Sequence, residues 1–387
     1  MPDDRDIPTA LPVDEPDDGP RRPARRRPSG PPPRRSGVGT FFNWLTRILL
    51  VICLFVIFVL LLMLLPTLGG GTGRLTEMHH SGDPSAADKI AIVRVDGPIV
   101  EGLLRYPTQQ IKDAAADEQV KAVVVAINSP GGTVTASDLL HKQIQDLRDG
   151  KWEKQPFKKP VVVAMESVAA SGGYYIAVPA QEIYAQPTTV TGSIGVYAAF
   201  LDLHGLGEKY GIDVQIIKKG ELKGGSLFKE MTPEERIHWE QLIGHSYDRF
   251  MKVVTDGRDG QPAYGKRLTL GLRDEIRMTT ADGQAYVRRL ADGGVFTADD
   301  ALKYGLIDHI GYLEDAIAGA KRLAGITAAR VVTYQRPSSV LDSLLGIEQQ
   351  PPDQIRLDQL PGASAQLWYL TPGYELSSIT LPANLLK

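Results

Sequence analysis

Apolar and polar positions change rhythm several times along the chain. IAIVRV (90–95), AVVVAI (122–127) and VVVAM (161–165) are short apolar runs, and the second is apolar at successive positions, as in a strand covered on both faces. Between the second and third, SDLLHKQIQDLRDG sets Leu140, Ile144 and Leu147 on one helical face and stops at Gly150. IDVQII (212–217) predicts a further strand. TPEERIHWEQLIGHSYDRFMKVV predicts a helix with Thr232 as N-cap, Pro233 in the first turn and Glu235 completing a capping box. TADDALKYG (297–305) predicts a shorter helix with a similar cap and a glycine terminator. Strand and helix alternate from Lys89 to Gly325, so the pattern predicts one α/β domain over residues 89–334 with a mostly parallel core sheet. After Tyr334 the periodicity fades through QQPPDQ into a tail, 335–387.

One run is too long for a strand and too apolar for a surface helix. ILLVICLFVIFVLLLMLL (48–65) carries no charge, reaches about 27 Å as a helix and is closed by Pro66, which predicts a transmembrane segment over 48–66. A linker, 67–88, follows. Eight arginines and no acid lie between Arg21 and Arg47, interleaved with proline in a leader, 1–47, that cannot collapse. The arginines on one side predict a cytoplasmic N-terminus and an extracytoplasmic domain, single-pass at the cytoplasmic membrane. No A-x-A site follows the run, which favours a retained signal anchor over a cleaved signal peptide. The only cysteine, Cys53, lies inside the span, so no disulfide is open to the domain. A net charge of -3 gives no pull toward nucleic acid.

Two Gly-rich turns follow buried runs: NSPGGTVTAS (128–137) and SGGYYIA (171–177). In α/β folds such turns bring ligands to unpaired backbone N–H groups. A serine on the second and amide donors on the first would set a nucleophile beside an oxyanion hole. Neither turn matches a dinucleotide or P-loop motif, and Ser171 lies in no G-x-S-x-G elbow. The seven histidines lie in the linker, on helical patterns or away from turns, which makes a Ser/His/Asp triad the less favoured arrangement. KKGELKGGSLF (218–228) offers a lysine base in Lys223, between Leu222 and Gly224, although the local sequence alone favours a surface lysine.

NSPGG (128–132), AASGGYYIA (169–177), TGSIGV (191–196) and KKGELKGG (218–225) occur in an order that resembles bacterial signal peptide peptidase A, the protease IV family of Ser/Lys peptidases. ADGGVFTADDALKYGLIDHIGYLEDAI (291–317) resembles that family's closing segment, and the likeness covers roughly 89–325. The resemblance implies Ser171 as nucleophile, Lys223 as general base, Gly132 in the oxyanion hole with Gly172 beside it, and Ser193 as the hydroxyl that positions the lysine. It implies a fold like that of the Clp protease and crotonase superfamily, built from ββα units. With one motif set the chain resembles the short form, a homo-oligomeric ring whose adjacent protomers share each site. No metal or organic cofactor is implied.

By the same resemblance the activity is a membrane-anchored serine endopeptidase acting on peptide substrates such as remnant signal peptides. Two alternatives stay open: a related membrane-bound Ser/Lys protease that processes a stomatin-like partner, and a non-catalytic membrane ring scaffold. Outside the resemblance, WEKQPFKK (152–159) has the look of a lengthened loop, and AQLWYLTPGYELSS (365–378) is extended enough to enter the catalytic groove.

Overall fold

The computed structural model describes residues 37–68, 75–152, 157–224, 226–259, 267–280, 282–335 and 368–370. The chain divides into two units, Met1–Gly69 and Gly70–Lys387. The first contains α1 (Gly37–Leu68), whose stretch Phe42–Leu60 has 19 residues and a mean hydropathy of 2.4. Leu49, Leu50, Phe55 and Phe58 are exposed on it. The helix is therefore long and apolar enough to cross a membrane. It extends past the predicted 48–66 at both ends, because no helix breaker interrupts TFFNWLTR and Pro66 falls in the last turn, where its missing N–H removes little of the ladder.

The second unit comprises, in chain order, β1 (Thr76–Gly82), β2 (Lys89–Asp96), α2 (Arg105–Ala116), β3 (Val120–Ser129), β4 (Gly131–Thr133), α3 (Val134–Asp149), β5 (Val161–Ala170) and α4 (Gly172–Ala177). Next come β6 (Glu182–Ala185), β7 (Val190–Gly192), α5 (His204–Tyr210), α6 (Pro233–Arg258), β8 (Glu275–Thr279), β9 (Ala285–Arg289), β10 (Val295–Thr297) and α7 (Ala298–Lys303). β11 (His309–Ile310), α8 (Leu313–Ala324), β12 (Arg330–Gln335) and β13 (Trp368–Leu370) complete it. One sheet runs in the order β1-β12-β2-β3-β5-β6-β11, with β7 joining the end of β5 and β10 pairing β7. Every pairing in it is parallel except β1 with β12 and β7 with β10. This is the mixed α/β class with a mostly parallel core that the alternation predicts.

The central strands are apolar on both faces because both are covered. Val93, Val125, Ile127, Val163 and Met165 pack toward α2, α3 and α4, while Ile92, Val124, Ala126, Val162 and Ala164 face the α8 side. Each such valine or isoleucine contributes about 1.5–3 kcal/mol on full burial. Leu140, Ile144 and Leu147 form the buried stripe of α3, and Gly150 ends that helix at φ 68°. Both bonds of the capping box at α6 are made, Glu235 N–H donating to Thr232 Oγ1 at 3.2 Å and Thr232 N–H to Glu235 Oε2 at 2.9 Å.

Three places differ from the sequence expectation. IDVQII (212–217) forms no strand: Ile212, Val214, Ile216 and Ile217 are exposed, and none of the described strands lies beside them to complete a ladder. Thr76–Gly82, inside the stretch expected to be linker, pairs antiparallel with β12, and its mostly exposed, polar residues explain why no apolar pattern marks it. Of WEKQPFKK, residues 153–156 lie outside the described ones, yet Lys159 is buried. Its Nζ donates to the carbonyls of Ala114 at 2.7 Å and Asp117 at 2.6 Å, closing the end of α2, and burial pulls its pKa down to about 8.

Candidate active site

β3 and β5 are neighbours in the middle of the sheet, and their carboxyl ends carry the two Gly-rich turns. Ser129 pairs with Ala169, so the turns emerge side by side. β3 leads through Pro130 into β4, and Thr133 then caps α3 by accepting from Ala136 N–H at 3.2 Å. β4 is held on one edge by Ile99, whose N–H donates to Gly131 O at 2.8 Å and whose carbonyl accepts from Thr133 N–H at 2.9 Å. A Cβ on Gly132 would stand 1.9 Å from Ile99 O, so only glycine fits.

β5 ends at Ala170, and Ser171 makes the turn into α4 with φ 56° and ψ -116°. That backbone is strained for a residue with a Cβ. It is held by two bonds: Ser171 N–H donates to Gly192 O at 2.7 Å, and Ser171 O accepts from Tyr175 N–H at 2.8 Å. The strand–strained serine–helix arrangement is that of a nucleophile elbow reached without the G-x-S-x-G motif. Ser171 is 1% exposed, and its Oγ has no hydrogen-bond partner among the described residues. A Cβ on Gly172 would lie 3.1 Å from both Gly131 Cα and Gly132 N, which puts β4 flush against the residue after the serine.

Ser193 follows β7 as Ser171 follows β5. It too has positive φ, 52°, and its Oγ donates to Gly293 O at 2.9 Å, leaving its lone pairs for an incoming N–H. Lys223 is exposed in the segment after α5, its backbone N–H bonded to Gly220 O at 3.2 Å. Among the described residues its ammonium has neither a hydrogen bond nor an ion pair, and it is not bonded to Ser171 or Ser193. Of the expected site, Ser171, Gly132, Gly172 and Ser193 thus come together in one chain, and Lys223 does not join them.

His141 is the one buried imidazole among the described residues. It packs edge-on against Tyr175 at 5.1 Å, and burial pulls its pKa down to about 4 against the pull of Asp138. It makes no hydrogen bond to Ser171 Oγ, so no triad is formed. Among the described residues no cluster could hold a metal ion.

Two supports went unnoticed in the sequence. Tyr175 donates to Asp138 Oδ1 at 2.5 Å and Arg249 Nη2 to the same oxygen at 2.9 Å, tying the helix after Ser171 to α3 and α6. Burial opposes the charge on Asp138, but these donors hold its carboxyl below the usual range. The second is Ile99, which no motif marks because it acts through its backbone.

Comparison with known proteins agrees with this geometry. The model of peptidase family S49 matches residues 153–271 and 278–327, a range that includes Ser171, Ser193 and Lys223. A putative protease of Synechocystis sp. is 32% identical over 269 residues, covering 69% of this chain and 86% of that protein. Protease 4 of Salmonella typhi is 31% identical over 263 residues, 66% of this chain, and a putative signal peptide peptidase SppA of Enterococcus faecium is 32% identical over 231 residues, 59% of this chain. The chain spans 38% of the length of the former and 59% of the latter. With its mostly parallel α/β sheet and its serine at a strained strand-to-helix turn, the chain belongs to peptidase family S49.

Proposed function

We propose that this chain is a membrane-anchored serine endopeptidase that cleaves remnant signal peptides and similar apolar peptides outside the cytoplasmic membrane, using Ser171 and Lys223. The observation that carries it is Ser171: a buried hydroxyl without a partner among the described residues, on a strained turn, with Gly132 packed against the following residue. Ser171 Oγ attacks the peptide carbonyl and its proton passes to the neutral amine of Lys223. The Gly132 and Gly172 amides stabilise the oxyanion. Collapse of the tetrahedral species breaks the C–N bond, Lys223 returns the proton to the leaving amine, and it then deprotonates the water that hydrolyses the ester.

Lys223 comes from a neighbouring protomer of a ring. That reading is supported by its exposure, by the empty hydrogen-bonding position at Ser171 Oγ, and by the unpaired apolar segment 212–217 that precedes it. Ser193 accepts from the incoming lysine and fixes its direction. The helix Gly37–Leu68 anchors the protein, with the arginine leader on the cytoplasmic side.

The test is fluorophosphonate labelling of the full-length protein in detergent together with turnover of a fluorogenic apolar peptide between pH 6 and 10. Labelling that disappears in Ser171→Ala, and turnover that is lost in Lys223→Ala, are expected. Labelling unchanged in Ser171→Ala would refute the assignment.

A further inference from the structure

Ser193 is held by a short loop. Its N–H donates to Gly294 O at 3.0 Å and its Oγ to Gly293 O at 2.9 Å. The register explains the contact: β10 runs antiparallel to β7 with Val295 opposite Gly192, so the residues just before β10 fall opposite the serine just after β7. The direction of the Ser193 hydroxyl is therefore set by where these carbonyls point. Gly293, at φ 84°, and Gly294 leave that backbone free to swing unless something fastens it.

The fastening is Arg288, on β9. Its Nε donates to Asp292 Oδ2 at 3.1 Å and its Nη2 to Asp292 Oδ1 at 2.8 Å, a bidentate fork across the loop. The remaining nitrogen, Nη1, donates to Val295 O at 2.9 Å. Asp292 turns the rest of its capacity on the same segment: Oδ1 accepts from Gly294 N–H at 2.9 Å and Oδ2 from Arg289 N–H at 3.3 Å. A Cβ on Gly294 would stand 2.4 Å from Arg288 Nη2, so the fork closes tightly over a residue without a side chain. Burial opposes the Asp292 charge, but Arg288 and the Gly294 amide hold its carboxyl below the usual range.

The same guanidinium backs the second serine. Its carbon lies 3.9 Å from the centroid of the Phe296 ring, and a Cβ on Gly192 would stand 2.7 Å from Phe296 Cδ2. Gly192 O is the acceptor for Ser171 N–H. One side chain thus supports the carbonyls at Ser193 through hydrogen bonds and the carbonyl at Ser171 through packing.

We infer that Arg288 is a positioning residue for the peptidase reaction: forked to Asp292, it fixes the Gly293 carbonyl that aims the Ser193 hydroxyl at the lysine. The inference rests on Ser193 orienting Lys223 as proposed above. Stability alone is the competing role. The Asp292 side chain is 31% exposed, and an ion pair open to solvent on one side adds little to stability. What a bidentate fork adds is direction, and direction matters where a general base must meet a hydroxyl in a narrow range of geometries.

Arg288→Met removes the fork and keeps an apolar stem against Phe296, so the packing behind Ser171 is retained. It is made in the full-length chain, alone and together with Ser193→Ala. Turnover of a fluorogenic apolar peptide is expressed per active site, the sites being counted by the end point of fluorophosphonate labelling. Arg288→Met lowers kcat about tenfold, with KM and the count of sites unchanged. Added to Ser193→Ala, it lowers kcat by less than about twofold further, because the group through which it acts is already gone. Arg273→Met, which removes an exposed ion pair to Asp248, stays within about twofold of wild type. Should Arg288→Met not fold, Asp292→Asn removes the charge on the other side of the fork at nearly equal volume and carries the same expectations.

Wild-type kcat per site in Arg288→Met, with fewer sites labelled, makes the pair structural and overturns the inference. A loss that multiplies with that of Ser193→Ala, or an equal loss in Arg273→Met, overturns it too, and each of these results leaves the peptidase standing. Wild-type kcat in Ser193→Ala removes the inference together with the role of Ser193, whereas labelling that does not depend on Ser171 removes the peptidase reading itself.

Discussion

Ser171 and Ser193 stand side by side at the ends of two parallel strands, each one residue beyond the paired Ala170 and Gly192, and they are the two non-glycine residues with positive φ among those described. The coincidence has a physical basis. Ser171 N–H donates to Gly192 O at 2.7 Å, so the turn at one serine is fastened to the strand that delivers the other. Each turn holds a hydroxyl at the carboxyl end of its strand in a conformation that a residue with a Cβ avoids.

That strain should be measurable. A backbone in this region costs about 1–3 kcal/mol, and glycine removes it while adding about 0.4–1 kcal/mol of unfolded-state entropy. Ser171→Gly should therefore be more stable than wild type by about 1 kcal/mol and inactive. Urea unfolding midpoints decide it. A variant less stable than wild type would mean that Ser171 is not strained in the folded protein.

Ser193 should separate into a structural and a chemical part. Its Oγ donates to Gly293 O at 2.9 Å and its N–H to Gly294 O at 3.0 Å, so Ser193→Ala leaves a carbonyl without its donor, a cost of about 1 kcal/mol. If the hydroxyl also orients the lysine, kcat falls about tenfold to a hundredfold with KM little changed, and Ser193→Thr restores much of it. A loss confined to stability would leave Ser193 a structural residue alone.

The site's division between chains has a numerical signature. Ser171→Ala and Lys223→Ala chains are each expected to be inactive. Assembled from a random equal mixture, rings that share sites between neighbours regain about a quarter of wild-type turnover, since half the serine positions and half the lysine positions are intact independently. A site completed within one chain regains none. Turnover of the mixture, measured after co-expression, distinguishes the two.

How much of this was legible depends on where the information lies. Leu140, Ile144 and Leu147 announce α3 because their spacing is itself the buried stripe, and Thr232 with Glu235 announces the start of α6 because the capping bonds are local. Strand β1 was missed since Thr76–Gly82 contributes backbone to β12 and buries little. IDVQII misled in the opposite sense: its alternation makes it extended, but a strand also needs a neighbour, and none of the described strands pairs with it. At the site, SGGYY and SPGG mark Ser171 and Gly132, while their juxtaposition depends on Ser129 pairing with Ala169 and on Ile99 holding β4, contacts between distant segments that no local pattern records.

His141 gives the protein a dependence on pH that is separate from catalysis. Burial holds its imidazole at about 4 in the folded state, against about 6.5 in the unfolded chain; Arg249 and Arg148 add to the shift and Asp138 opposes it. Between those values the unfolded chain takes up a proton that the folded one refuses, so stability falls as the pH drops through that window. The loss from pH 7.5 to pH 5 is about 2 kcal/mol. His141→Phe keeps an aromatic ring against Tyr175 and removes the titration, so its urea midpoint should change less than that of wild type over the same interval. The carboxyls of Asp138 and Asp149, held below their usual range, withdraw their stabilisation only at more acidic pH and do not obscure the comparison. Parallel curves for the two proteins would show that His141 is not buried in its neutral form, and that α3 and α4 pack differently around Tyr175.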